Sequence, residues 1–109
     1  MDKSFLILIQ DHASEAQIES AIDTALIALS FEFPLSVLLL HGEQVFQTIE
    51  KNSKLGDKFR QLAVFGLKKI HSCGKIGGLA SQESNLPLLS ITKNEGQKLL
   101  QTHSIIMSF

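Results

Sequence analysis

Two apolar runs do most to limit what this chain can become. Phe5-Leu6-Ile7-Leu8-Ile9 and Leu35-Ser36-Val37-Leu38-Leu39-Leu40 are apolar almost without interruption. A strand with one wet face alternates apolar and polar residues. A continuous run is covered on both faces, as in a parallel sheet packed between helices. Between the two runs, Ser14-Glu15-Ala16-Gln17 has the S-x-x-Q spacing of a capping box. Ile18, Ala21, Ile22, Ala25, Leu26 and Leu29 follow at three- and four-residue steps. That is one apolar stripe on a helix, with Glu15, Glu19 and Asp23 outside it. Pro34 stops further helix.

The remaining segments continue the alternation. Val45-Phe46-Gln47-Thr48-Ile49 is β-rich and reads as a short excursion before the next helix. Residues 51–54 are a polar break. Leu55, Phe59, Leu62 and Ala63 make a second helical stripe, with Gly66 placed for a left-handed cap. Ile70-His71-Ser72 reads as a short third strand. Residues 76–83 read as a weak helix, because Gly77 and Gly78 lower its propensity. Residues 86–91 read as a fourth strand, with Pro87 tolerable near its start. Thr92-Lys93-Asn94-Glu95 is a second capping box, opening a helix with Leu99 and Leu100. Residues 104–109 form a last apolar strand, in which Phe109 either finishes the core or meets another subunit.

The order βαβαβαβαβ predicts an α/β fold of Rossmann-like kind. It is a three-layer, open, mostly parallel five-stranded sheet with helices on both faces, in a single domain over residues 1–109. Chemistry in such sheets collects outside the carboxyl ends of the strands. That places His12, His41, His71 and Cys73 on one rim.

Charge and cysteine content narrow the function classes. Ten basic residues stand against eleven acidic ones, and only Arg60 among the basic residues is an arginine. A broad nucleic-acid surface needs a clustered excess of Lys and Arg, so direct nucleic-acid binding is not expected. There is no Trp or Tyr to stack a base on. No apolar run approaches the ~20 residues of a membrane span. One cysteine makes no internal disulfide, and there is no signal-peptide pattern. Both features point to a reducing cytoplasm.

That cysteine lies in Ile70-His71-Ser72-Cys73-Gly74-Lys75-Ile76-Gly77-Gly78. Cys73 is the candidate catalytic residue: His71, Lys75 and a following helix start could lower its pKa and favour the thiolate. The other reading is a small residue packed at a strand end. His12, His41, His71 and Cys73 together invite zinc, but no H-x-x-x-H or C-x-x-C pairing supports it, and no metal is assigned. Gly74-Lys75-Ile76-Gly77-Gly78 lacks both phosphate-loop and dinucleotide fingerprints, so a tight turn is the simpler reading and no cofactor is expected.

Taken together the segments resemble the DsrE/DsrF-like sulfur-relay family, with the TusC (DsrF-type) subunit as the nearest likeness. The resemblance covers essentially the whole chain. It is carried by "LSVLLLHGEQVFQTIEK", by "FGLKKIHSC" and by the apolar strand closing on Phe109. It implies a DsrE-like fold and a cytoplasmic hetero-oligomer with TusB-like and TusD-like subunits, a dimer of heterotrimers. That assembly passes persulfide sulfur through a TusE-like carrier toward 2-thiouridine in tRNA. The related DsrF-like role is in intracellular sulfur oxidation. In these assemblies the working cysteine belongs to the TusD/DsrE-type sister, after its third strand. Here Cys73 falls a few residues before that position, and Ile76 or a neighbour occupies it. The sister's following basic residues are replaced by Leu79-Ala80-Ser81-Gln82, and its glycine-containing first loop by Asp11-His12-Ala13-Ser14. The resemblance therefore implies a structural, partner-binding subunit, with Cys73 a secondary candidate for carrying a persulfide. A small metal- or anion-binding regulatory α/β module is the alternative from a different class.

Overall fold

Both long apolar runs are strands. β1 (Phe5–Ile9) and β2 (Leu35–Leu40) lie side by side and parallel, with Phe5 opposite Leu35 and Ile9 opposite Leu39. The computed structural model describes residues 4–10, 12–40, 42–73 and 88–109. β3 (Ile70–Cys73) adds to the free side of β2, β4 (Leu88–Ile91) adds to β3, and β5 (Ile105–Ser108) adds to the other side of β1. The sheet order is β4-β3-β2-β1-β5, and every pairing is parallel. The five strands match the expected count.

Because side chains alternate along a strand, each strand feeds two cores. On the first face, Ile7, Ile9, Val37, Leu39 and Ile70 pack against α1 (Glu15–Ser30), α2 (Gly42–Lys51) and α3 (Ser53–Val64). Ile18 and Ile22 of α1 and Phe59 of α3 close this layer, and the Phe46 and Phe59 rings meet edge to face at 5.3 Å. Leu6 and Leu38, one residue out of phase, are buried on the second face. There α4 (Lys93–Thr102) covers the strands, with its Gly96 backbone close to Leu38 and Ile91 side chains. The placement follows from handedness. The chain moves one way across the sheet from β1 to β3 and returns from β4 to β5. Right-handed crossovers therefore put α1–α3 on one face and α4 on the other.

The helix ends carry the expected devices. Both capping boxes are formed, Ser14 with Gln17 and Thr92 with Glu95. Asn52 caps α3 through Oδ1, which accepts from the backbone N–H groups of Lys54 and Leu55. Gly66, at φ 112°, ends α3: its N–H donates to Ala63, and Leu67 N–H donates back to Leu62 at 2.9 Å. These are the two bonds of a Schellman motif. The same pair closes α1 around Glu32, the one non-glycine residue at positive φ among the described residues. Lys58 of α3 ties the two helices together, 2.8 Å from Glu19 and 3.1 Å from Asp23 of α1.

Two expectations are corrected. Residues 45–49 are not an extended excursion but the middle of α2. Val45, Phe46 and Ile49 are all buried, at the i, i+1, i+4 spacing of one helix face, and that burial outweighs their β propensity. β3 continues through Cys73 rather than ending at Ser72, because Leu40 of β2 offers a pairing partner. The expected helix over 76–83 and the strand residues Leu86 and Pro87 lie outside the described residues.

Candidate functional site

β3 is the strand on which chemistry-bearing side chains concentrate. It starts late, opposite the middle of β2: His71 pairs with Leu38, Ser72 with Leu39 and Cys73 with Leu40. Ile70 and Ser72 alternate onto the first face, and His71 and Cys73 onto the second, under α4. Parallel strands end together, so Cys73 does reach the carboxyl rim. His71 does not. It sits inside the sheet, only 9% exposed, and corrects the expectation that all the histidines would share the rim. The cause is register: the second residue of β3 lies opposite Leu38, in mid-sheet. His12 follows the end of β1, and His41 lies outside the described residues.

Cys73 is half-buried and makes no disulfide. Its Sγ lies 3.9 Å from the Thr92 carbonyl oxygen at the start of α4. A Cβ placed on Gly96 would stand 3.0 Å from this sulfur, so a side chain there would require the thiol or the helix to give way by a few tenths of an ångström. Burial pushes the thiol pKa up from its ordinary 9.0, and the nearby Glu95 carboxylate pushes it further the same way. Both effects oppose the thiolate, which is the nucleophilic form.

His71 is drawn the other way. Burial lowers its pKa below the ordinary 6.5, and the Lys69 and His103 charges add to that, against a smaller opposing pull from Glu95. The ring is therefore neutral at pH 7. Its Nδ1 is sealed from solvent and meets no hydrogen-bond partner among the described residues. Ser72 Oγ, fully buried on the opposite face, is likewise unpaired among them. His103, which sequence reasoning passed over, closes the same face. Its Nδ1 is 2.7 Å from the Leu99 carbonyl and its Nε2 is 2.9 Å from Ser36 Oγ. In the neutral ring Nδ1–H donates to the carbonyl, and Nε2 accepts from the serine hydroxyl. The available signal was its place four residues after Leu99, one helical turn on, where a side chain can return to a terminal carbonyl.

Two cavities meet at Lys69 and His71. One, of about 410 Å³, runs between α4 and the sheet, lined by Lys69, His71, Ile91, Glu95, Lys98 and Leu99. The other, of about 310 Å³, opens at the amino ends of the strands and includes Leu29, Phe33, Leu35, Ser36 and Leu67. Neither contains Cys73. Among the described residues no three His, Cys, Asp or Glu side chains gather to hold a metal. Among them, too, no helix is long and apolar enough to cross a membrane.

No protein-family model matches the chain, and no curated protein does. Among solved structures, the ychN protein from E. coli is similar over 100% of both chains, with a TM-score of 0.53 and 12% sequence identity. At that identity the likeness is one of fold. The five-stranded parallel sheet, with α1–α3 on one face and α4 on the other, is a DsrE-like fold.

Proposed function

We propose that this chain is a non-catalytic, TusC-like subunit of a heteromeric sulfur-relay complex in the cytoplasm. The complex holds TusB-like and TusD-like sister subunits, and sulfur leaves it on a TusE-like carrier toward tRNA 2-thiouridine. The observation that carries this reading is the state of Cys73. On a DsrE-like fold, the thiol stands at the end of β3, near where the resemblance places the family's working sulfur. Yet burial and Glu95 hold it protonated, and α4 presses against it. A relay cysteine must attack as thiolate. A sister subunit therefore carries the sulfur, and this chain shapes the assembly.

The surface supports a partner. Ile27 and Phe31 near the end of α1, and Val64 and Phe65 at the end of α3, are all exposed, Val64 at 81%. Large apolar side chains gathered at the ends of two packed helices mark an interaction surface more often than a solvated one.

Co-expression with the TusB-like and TusD-like chains of the same genome tests the reading. The chain is expected to co-elute with both, and treatment with a cysteine desulfurase and cysteine is expected to add sulfur to the TusD-like chain and not to Cys73. A chain that elutes alone in the presence of both sisters overturns the subunit role. One extra sulfur on Cys73, carried forward to a TusE-like acceptor, overturns the non-catalytic role.

A further inference from the structure

The cavity pair at Lys69 and His71 has no part in the reading above, and its composition is uneven in an informative way. One end is apolar, built from Leu29, Phe33, Pro34 and Leu35. The middle and far end carry Lys68, Lys69, His71 and Lys98 over a floor of Ile91 and Leu99. The volumes, about 310 and 410 Å³, fall in the range of small-molecule sites. Lys68, Lys69 and Lys98 make no ion pair among the described residues, whereas Lys54, Lys58 and Arg60 each have a carboxylate within reach. Glu95, the one acid in the lining, is already engaged by the Thr92 backbone N–H at 3.3 Å and hydroxyl at 3.1 Å.

His71 adds an independent sign. It is more than nine-tenths buried, it lines both cavities, and no hydrogen bond to its ring is made among the described residues. A buried imidazole is ordinarily satisfied, because an unpaired polar group in the interior costs about 1–3 kcal/mol. Nδ1 is sealed and unpaired among the described residues, and the ring as a whole lines both cavities. A carboxylate that reaches the ring's other nitrogen would give the imidazole a hydrogen bond that no described residue makes with it.

We infer that this trough binds a small amphipathic organic anion, an apolar body carrying one carboxylate. The head sits between Lys69, Lys98 and the His71 ring, and the body lies toward Phe33 and Leu35. The sheet's carboxyl rim and Cys73 take no part. The occupant is a free monocarboxylate rather than a bare inorganic anion, because half the lining has nothing to offer a charge.

Sodium octanoate is the probe. Its titration into the full chain is followed by NMR of the histidine ring protons, with His12, at the opposite end of the sheet, as internal reference. The His71 resonances are expected to shift saturably while those of His12 stay fixed. Lys69→Gln is expected to weaken binding about tenfold, and Lys98→Gln by a smaller factor, since each removes one charge-assisted contact. Phe33→Ser is expected to weaken octanoate and leave acetate unchanged. Unchanged His71 resonances at saturating octanoate overturn the site. Equal affinity in wild type and Lys69→Gln overturns the head position. Equal response to inorganic phosphate at matched ionic strength overturns the amphipathic class. Retention of the wild-type far-ultraviolet spectrum by each variant separates lost binding from lost fold.

Discussion

The two faces of the sheet are built from the same strands and differ in almost everything else. The first carries Ile7, Ile9, Val37, Leu39 and Ile70 against three helices, and its buried members are almost all hydrocarbon. The second lies under one described helix and holds His71, Cys73 and the Ser36–His103 pair beside Leu6 and Leu38. One face is a store of folding free energy. The other gives some of that up to hold polar groups in low dielectric, which shifts the protonation of His71 and Cys73. In a domain this small the division is sharp, because there is little core to spare.

Four experiments break or sharpen that contrast. The largest effect belongs to the first face: Phe59→Ala removes a ring that is 5% exposed and stacked edge-on with Phe46. A loss of about 3–5 kcal/mol in urea unfolding is expected. A loss under about 1 kcal/mol would mean the first face is not the main core.

Ser72 is the exception on that face. Its hydroxyl is fully buried and unpaired among the described residues, while the side chain is close to alanine in size. Ser72→Ala is expected to raise stability by about 1 kcal/mol. A destabilised variant would show that the hydroxyl has a partner.

On the second face, Gly96 and Cys73 should couple. Gly96→Ala alone sets helix propensity against a 3.0 Å contact with Sγ. With Cys73→Ala in place the clash is gone, and Gly96→Ala should then add about 1 kcal/mol. Additive effects in the double-mutant cycle would show that the sulfur does not limit the approach of α4.

The smallest effect is a pH dependence. The folded His71 pKa lies below 6.5, through burial and the charges of Lys69 and His103, with Glu95 opposing. As pH falls, the unfolded chain takes up this proton first. The contribution is therefore complete above pH 6.5 and is lost as pH drops toward the folded value. Urea midpoints should fall between about pH 7.5 and about pH 5.5. The fall should be shallower in His71→Leu, which lacks this buried imidazole. Identical slopes would place the titration elsewhere.

Most of the first face was legible from sequence, because its signals are local. Continuous apolar runs, two capping boxes and the 3–4 spacing of Ile18, Ala21, Ile22 and Ala25 each specify their element without outside help. The second face was less legible. His71 reads as a strand-end residue until it is known that it lies opposite Leu38 in the middle of β2, and register is a property of two strands, not one. The role of His103 depends on Ser36, 67 positions away in sequence. The segment 45–49 misled for a related reason: its residues favour strands individually, and only the packing of α2 onto the first core decides for helix.

The close approach of Gly96 gives Cys73 a direction. With no side chain between them, the helix backbone walls off one side of the sulfur, and the sheet walls off another. Any atom bonded to Sγ, whether oxygen, a second sulfur or an alkyl label, must project away from the Gly96 backbone. A probe attached at residue 73 would thus report the surroundings of the rim, and its bulk would be felt first by α4.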